Sequence, residues 1–278
     1  MSWARKLEKH NNKFLYIKFT VSLLDEIKKD ISSLYSGYGF GLAGIGTELL
    51  QNLQDEQDKT LYNQEINLVE QIATELKKRT YYINNEIKFD YGSPLGFIQN
   101  EDVNNFRYGN SGIGHFFCKY YDQFHDTSIL RLITQLQHKV LNSLSIVNAN
   151  QLVFKDFEGE ATQLSGLALG YGGPLIFLFE SSKFIINPAN LTNLSNILQI
   201  SEKKRDLVCA KLSTGVAGQI LQHHILGNNK LVVKYQTILL NLKSENSDVP
   251  FWTPQNKYFS YDDDFFEGNS GIVYSLIM

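Results

Sequence analysis

Residues 109–114 read Gly109-Asn-Ser-Gly112-Ile-Gly114, and Ile113, Phe116, Phe117, Tyr120 and Phe124 follow at helical spacing. The same glycine-headed pattern stands at Gly41-Leu-Ala-Gly44-Ile-Gly46, at Gly172-Gly173-Pro174, at Gly215-Val-Ala-Gly218 and at Gly268-Asn-Ser-Gly271-Ile, each time heading an apolar run. One Gly-x-x-Gly is a turn or a close packing contact. Five copies in one local context are an internal repeat, and a repeat defines architecture before any residue is read for chemistry. Glycine at these points lets the chain turn tightly and lets backbone approach backbone.

Between these runs lie better-charged, amphipathic segments: Phe14 to Leu34, Leu61 to Lys78, Ile129 to Leu144, Leu191 to Leu198 and Leu231 to Leu242. Apolar residues mark one face of each and Lys, Glu, Gln and Asn the other, as on a surface helix. The glycine-headed helices, with little charge, form an inner layer and the amphipathic ones an outer layer. The expected fold is all-α, an α/α toroid, formed as one domain over residues 1–278.

Connections from inner to outer helix are short, as at Gln54 to Thr60 and Gly227 to Asn229. Those from outer to inner helix are long: Thr80 to Tyr108, Ser145 to Tyr171 and Lys243 to Glu267. The inner-helix N-termini therefore gather at one end with the long loops, and long loops in a compact domain tend to carry function. Unpaired N–H groups and positive dipole ends there predict a cleft suited to carboxylates, thiolates or enolates.

Hydrophobic residues at 43% and aromatics at 13% suffice for a large core, and a net charge of −3 gives nucleic acid no electrostatic footing. No apolar stretch approaches the roughly 20 residues of a membrane span. The start, MSWARKLEKHNNK, lacks the apolar core and cleavage site of a signal peptide, so a cytoplasmic setting is expected. Cys118 and Cys209 do not make a disulfide framework.

The segments GFGLAGIG, YGNSGIGHFF, GYGGP, STGVAG and FFEGNSGIV together resemble the successive glycine turns of the lanthionine synthetase C-like family, the cyclases that close thioether rings in lantibiotics. The resemblance spans roughly residues 35 to 278, and GYGGP followed by a T-G-x-A-G turn is its most specific part. It implies a double-layered helical toroid, a peptide substrate, a dehydratase partner, and one catalytic zinc held by two cysteines and a histidine.

At the ligand positions this chain departs from the family. The turn that resembles W-C-Y-G-G-P reads Leu169-Gly170-Tyr171-Gly172-Gly173-Pro174, so Gly170 stands where the family has cysteine. The turn that resembles C-H-G reads Ser213-Thr214-Gly215, and Tyr108 stands where the family's catalytic histidine precedes its glycine. No zinc or other cofactor is expected. A zinc site built instead from Cys118, Cys209, His115, His223 and His224 needs three converging ligands, and adjacent His223 and His224 point about 100° apart on a helix.

Zinc holds the substrate sulfur as thiolate. A free cysteine of pKa about 8.5 is already roughly 3% thiolate at pH 7, so losing the metal costs about 2 kcal/mol in thiolate population. Its positioning and transition-state help are lost as well.

The cleft-lining candidates are Tyr108, Asn110, Tyr171, Ser213, Thr214 and Glu267, all in turns at inner-helix N-termini; Ser, Thr and Asn there also suit helix capping. Asp262, Asp263 and Asp264 form an acidic run in the last long loop, as a solvated face or a contact for metal or cationic peptide. The final inner helix has only about ten residues before Met278 and one expected glycine turn is missing at the front, so a domain shortened at both ends is expected, either a smaller closed ring or a fragment or decayed member open on one side. Three functions are carried forward: a zinc-free protein acting on a dehydrated peptide in lanthipeptide-type modification, a noncatalytic peptide-binding scaffold for a dehydratase, and a sugar-active toroid. The last needs two carboxylates flanking a cleft, and Glu267 with the Asp262 to Asp264 run are its only supports.

Overall fold

The computed structural model describes residues 13–54, 56–92, 102–148, 151–156, 161–162, 164–185, 194, 196–197, 209–242, 252 and 268–277. Among them, the glycine-headed helices are α2 (Leu42–Leu53), α4 (Asn110–Phe124), α6 (Gly172–Ser181), α7 (Val216–Ile225) and α9 (Asn269–Ile277). The outer helices are α1 (Lys13–Asp30), α3 (Lys59–Lys78), α5 (Leu130–Asn142) and α8 (Asn229–Asn241). Leu194, Asn196 and Ile197 are helical too, within the stretch read as a further outer helix, most of which lies outside the described residues.

The two layers differ in burial and in how they begin. In α6 every residue except Phe179 is buried, and in α4 the run Asn110 to Cys118 is buried, the mark of a helix enclosed on all sides. In α3 only the stripe Leu61, Glu65, Leu68, Val69, Ile72, Ala73 and Leu76 is buried. Two outer helices, α3 and α8, carry side-chain caps: the Asp58 carboxylate accepts from the Thr60 and Leu61 N–H groups, and the Asn228 side chain accepts from Leu231. Helices α2, α4, α6 and α7 have no side-chain cap at all.

Their starts are capped by backbone instead. The first N–H of α2, Leu42, donates to the Tyr35 carbonyl at 2.7 Å; Asn110 donates to Val103 at 2.8 Å and Val216 to Cys209 at 2.9 Å, the same reach back along the chain each time. The N-cap glycines make this loop-back fit. A Cβ on Gly41 would lie 2.3 Å from the Tyr35 oxygen, one on Gly109 2.2 Å from that of Val103, and one on Gly215 2.2 Å from that of Cys209. Their φ angles of −149°, −120° and −126° are open to any residue, so space and not conformation demands glycine here.

Successive inner helices pack side by side, α2 on α4, α4 on α6, α6 on α7 and α7 on α9. Glycines again set the approach. Gly46 lies under the ring of Phe116 and Gly114 under that of Phe177, where a Cβ would come within 2.4 Å of each ring. Outer helices cover them, α3 over α2, α5 over α4 and α6, and α8 over α7. The architecture is the expected all-α toroid.

Two of the long connections carry strands. Strands β1 (Thr80–Ile83) and β2 (Glu86–Phe89) pair antiparallel across Asn84 and Asn85, whose φ angles of 51° and 66° make the left-handed two-residue turn that suits a hairpin's twist. Strands β3 (Leu144–Asn148), β4 (Gln151–Lys155) and β5 (Ala161–Thr162) form an antiparallel sheet in that order. No helix among the described residues is long and apolar enough to cross a membrane.

Candidate functional site

The turns that precede the inner helices are sewn to one another. The Gly39 N–H donates to the Arg107 carbonyl at 2.7 Å, the Arg107 N–H to Ala168 at 3.1 Å, and the Ala168 N–H to Ser213 at 3.0 Å. Four turns from distant parts of the sequence thus form a continuous rim at one end of the toroid. Glycine permits the contact: a Cβ on Gly37 would lie 2.7 Å from the Arg107 oxygen, and one on Gly166 2.2 Å from both the Ser213 oxygen and the Thr214 Cα.

This geometry changes the expected electrostatics. The first N–H groups of α2, α4 and α7, expected to be open to an anionic ligand, are occupied by carbonyls of their own loops. Ala43 and Ala217, next in line, donate likewise to Ser36 and Ala210. A backbone carbonyl at short range satisfies these donors as water or a ligand would, so these groups are not open to an anionic ligand.

The sequence candidates sort by depth. Tyr108 is half-buried, and its ring stacks on Phe40 at 6.2 Å. The Arg107 guanidinium lies 4.6 Å from the Phe40 ring centre and 5.3 Å from that of Tyr108. Phe40 is itself 51% exposed. Phe40 and Tyr108, from two neighbouring turns, present an aromatic surface on the rim, and the Arg107 guanidinium is buried against their rings. Thr214 is also half-buried, and its hydroxyl lies 3.4 Å from the partly exposed Cys209 thiol.

Asn110, Tyr171 and Ser213 lie deeper. Asn110 is fully buried, accepting from the Tyr91 hydroxyl at 3.1 Å and donating to the Asn104 side chain at 2.9 Å. Tyr171 is buried within the main hydrophobic cluster. Ser213 is buried too; its backbone carbonyl joins the rim, while its hydroxyl has no hydrogen-bond partner among the described residues. Neither Ser213 nor Thr214 caps α7, whose N-cap is Gly215. Glu267 and the Asp262 to Asp264 run lie outside the described residues.

At Gly170 the turn closes tightly. A Cβ there would lie 2.5 Å from the Leu164 carbonyl oxygen and 2.6 Å from the Gly166 nitrogen. Of the other thiols and imidazoles, Cys118 is buried in α4, and burial, reinforced by Glu180, pushes its thiol well above the ordinary range. His223 is buried and stacks flat on Tyr235 at 5.4 Å, whereas His224 is exposed. Among the described residues no three His, Cys, Asp or Glu side chains converge as metal ligands.

Beneath the rim lies an ion cluster that sequence reasoning missed. The His115 imidazole on α4 bonds through Nδ1 to the Glu180 carboxylate on α6, and Lys119 reaches its other oxygen at 2.7 Å. Burial pushes the Glu180 carboxyl up, but His115 and Lys119 outweigh it and hold the group at about 2. The rings of Tyr38 and Phe106 cover His115 at 5.7 and 5.2 Å. A signal was present: Glu180 is the lone charge in the apolar run GGPLIFLFES, and a buried carboxylate requires a partner. Phe40 and Arg107 were equally visible as neighbours of the glycine turns.

Helical layers joined through a glycine-stitched rim define the class as the glycine-turn α/α toroids. The family model described as lanthionine synthetase C-like protein matches residues 4–209, most of the chain, and the chain belongs to that family. The matched stretch includes Gly170 and ends at Cys209, so Ser213, Thr214 and Glu267 lie beyond it. A search of curated proteins gave no match.

Proposed function

We propose that this chain binds a dehydrated, cysteine-bearing peptide on its rim without zinc, and holds that peptide for a dehydratase partner rather than closing its rings. The turn around Gly170 carries the reading. At this position, where the resemblance calls for a cysteine ligand, there is no side chain and backbone atoms fill the space a Cβ needs. Ser213 and Thr214 add only weakly acidic hydroxyls, one buried and one beside Cys209. These residues do not fit a catalytic zinc, which takes three strong protein ligands.

Binding is assigned to the Phe40 and Tyr108 rings, backed by the buried Arg107 guanidinium. Aromatic side chains with a guanidinium among them suit peptide side chains and carbonyl groups, and anchors of this kind dominate interface energetics. A cytoplasmic setting is consistent with the free thiols Cys118 and Cys209.

Elemental analysis of the purified protein, paired with titration of a fluorescent dehydrated precursor in the presence of chelator, tests this reading. Saturable binding without stoichiometric zinc is expected. Zinc at one per chain, released only slowly to chelator, would overturn it.

A further inference from the structure

A cavity of about 680 Å³ lies between the β1–β2 hairpin, α5 and the end of β4. Its wall holds an ion pair between Lys139 and Asp102, and the Lys139 ammonium also donates to the Ile87 carbonyl. Asp102 receives Lys88 as well, so its carboxylate is engaged on both sides. Lys155 and His138, both exposed, line the same cavity, and Lys155 has no ion-pair partner among the described residues. Glu86 is the second carboxylate of the lining.

The rest of the lining is rich in side-chain amides, among them Asn85 and Asn142. An amide offers both donor and acceptor, as the peptide main chain does, whereas a simple anion needs donors alone. The volume lies within the range of small-ligand pockets and exceeds what an inorganic ion requires. The cavity also adjoins the rim. Asn104 lines it, bonds to Asn110 at the head of α4, and stands just before Arg107 and Tyr108 in the same turn.

We infer that this cavity is a second peptide-docking site, taking a polar segment that bears an acidic side chain, whose carboxylate meets Lys155 and His138 while its main chain pairs with the amides. It rests on the reading of the chain as a peptide binder and adds a foothold separate from the rim. One peptide can engage both, and linked sites strengthen each other through effective concentration.

Fluorescence anisotropy with the full chain tests this, using a short fluorescein-labelled peptide of alternating glutamate and glycine beside a matched lysine and glycine peptide. The glutamate peptide should bind and the lysine peptide should not. Lys155→Glu should weaken binding by about tenfold, and His138→Ala should weaken it less. Lys230→Glu on α8, an exposed residue that does not line the cavity, should leave it unchanged, showing that net charge is not the cause. Equal binding of the lysine peptide, no loss in Lys155→Glu, or displacement by free glutamate as readily as by unlabelled peptide would each overturn the inference. Binding of dehydrated precursor, read by its loss in Phe40→Ala, is a separate measurement, so failure of the rim reading and failure of this one are told apart.

Discussion

Gly170 and the carbonyl of Leu164 stand so close that a Cβ on the glycine would lie 2.5 Å from the oxygen. Forcing in even a methyl group shifts backbone, and overpacking of this kind costs about 1–3 kcal/mol. Gly170→Ala should lower the stability read by urea denaturation by that amount, with the slope of the transition unchanged. Rebuilding a family-like ligand set through Gly170→Cys, Ser213→Cys and Thr214→His should fail at the first substitution, giving a weakened fold.

Phe40 and Tyr171 should respond in opposite ways. Phe40 is 51% exposed, so Phe40→Ala should change stability by no more than about 0.5 kcal/mol while weakening precursor binding roughly tenfold. Tyr171→Ala removes a ring that is 1% exposed and should cost about 3–5 kcal/mol of stability. Thermal unfolding and precursor titration of both variants, measured together, check the assignment.

Acid should act in two separable windows. His223 is held at about 4, by burial first and then by Lys234, below the unfolded value of 6.5. The unfolded chain therefore takes up the proton first, and stability should decline as pH falls from 6.5 toward 4. His223→Gln should flatten the pH dependence of urea denaturation in that interval.

Glu180 acts lower. With a folded value of about 2 against an ordinary 4.5, its contribution is complete above 4.5 and is lost as pH falls toward 2. Glu180→Gln should remove that dependence and cost about 3 kcal/mol at neutral pH, because it leaves His115 and Lys119 without their shared carboxylate.

The helical layers were legible because periodicity and glycine recurrence are local signals: α3 and α8 fall within a few residues of their expected limits. The hairpins were not read, although Tyr81 to Phe89 holds two β-prone runs around Asn84-Asn85, a turn signal in its own right. Expected open N–H groups proved to be closed by carbonyls of the same loop, a pattern that rests on backbone path and leaves no residue-type signature beyond the glycines themselves. The His115 to Glu180 pair joins two inner helices 65 residues apart in sequence, a distance over which one chain's residue order carries no pairing information.

The direct test of the account is turnover. Thiolate population alone costs a metal-free site only about 2 kcal/mol, so a ring-closing protein would still outpace the spontaneous reaction and fix its stereochemistry. Dehydrated precursor should be incubated with the protein in chelator and its free thiols counted over time by alkylation and mass spectrometry. The account predicts saturable binding with thiol loss at the spontaneous rate; protein-dependent, saturable thiol loss giving rings of one stereochemistry would contradict it.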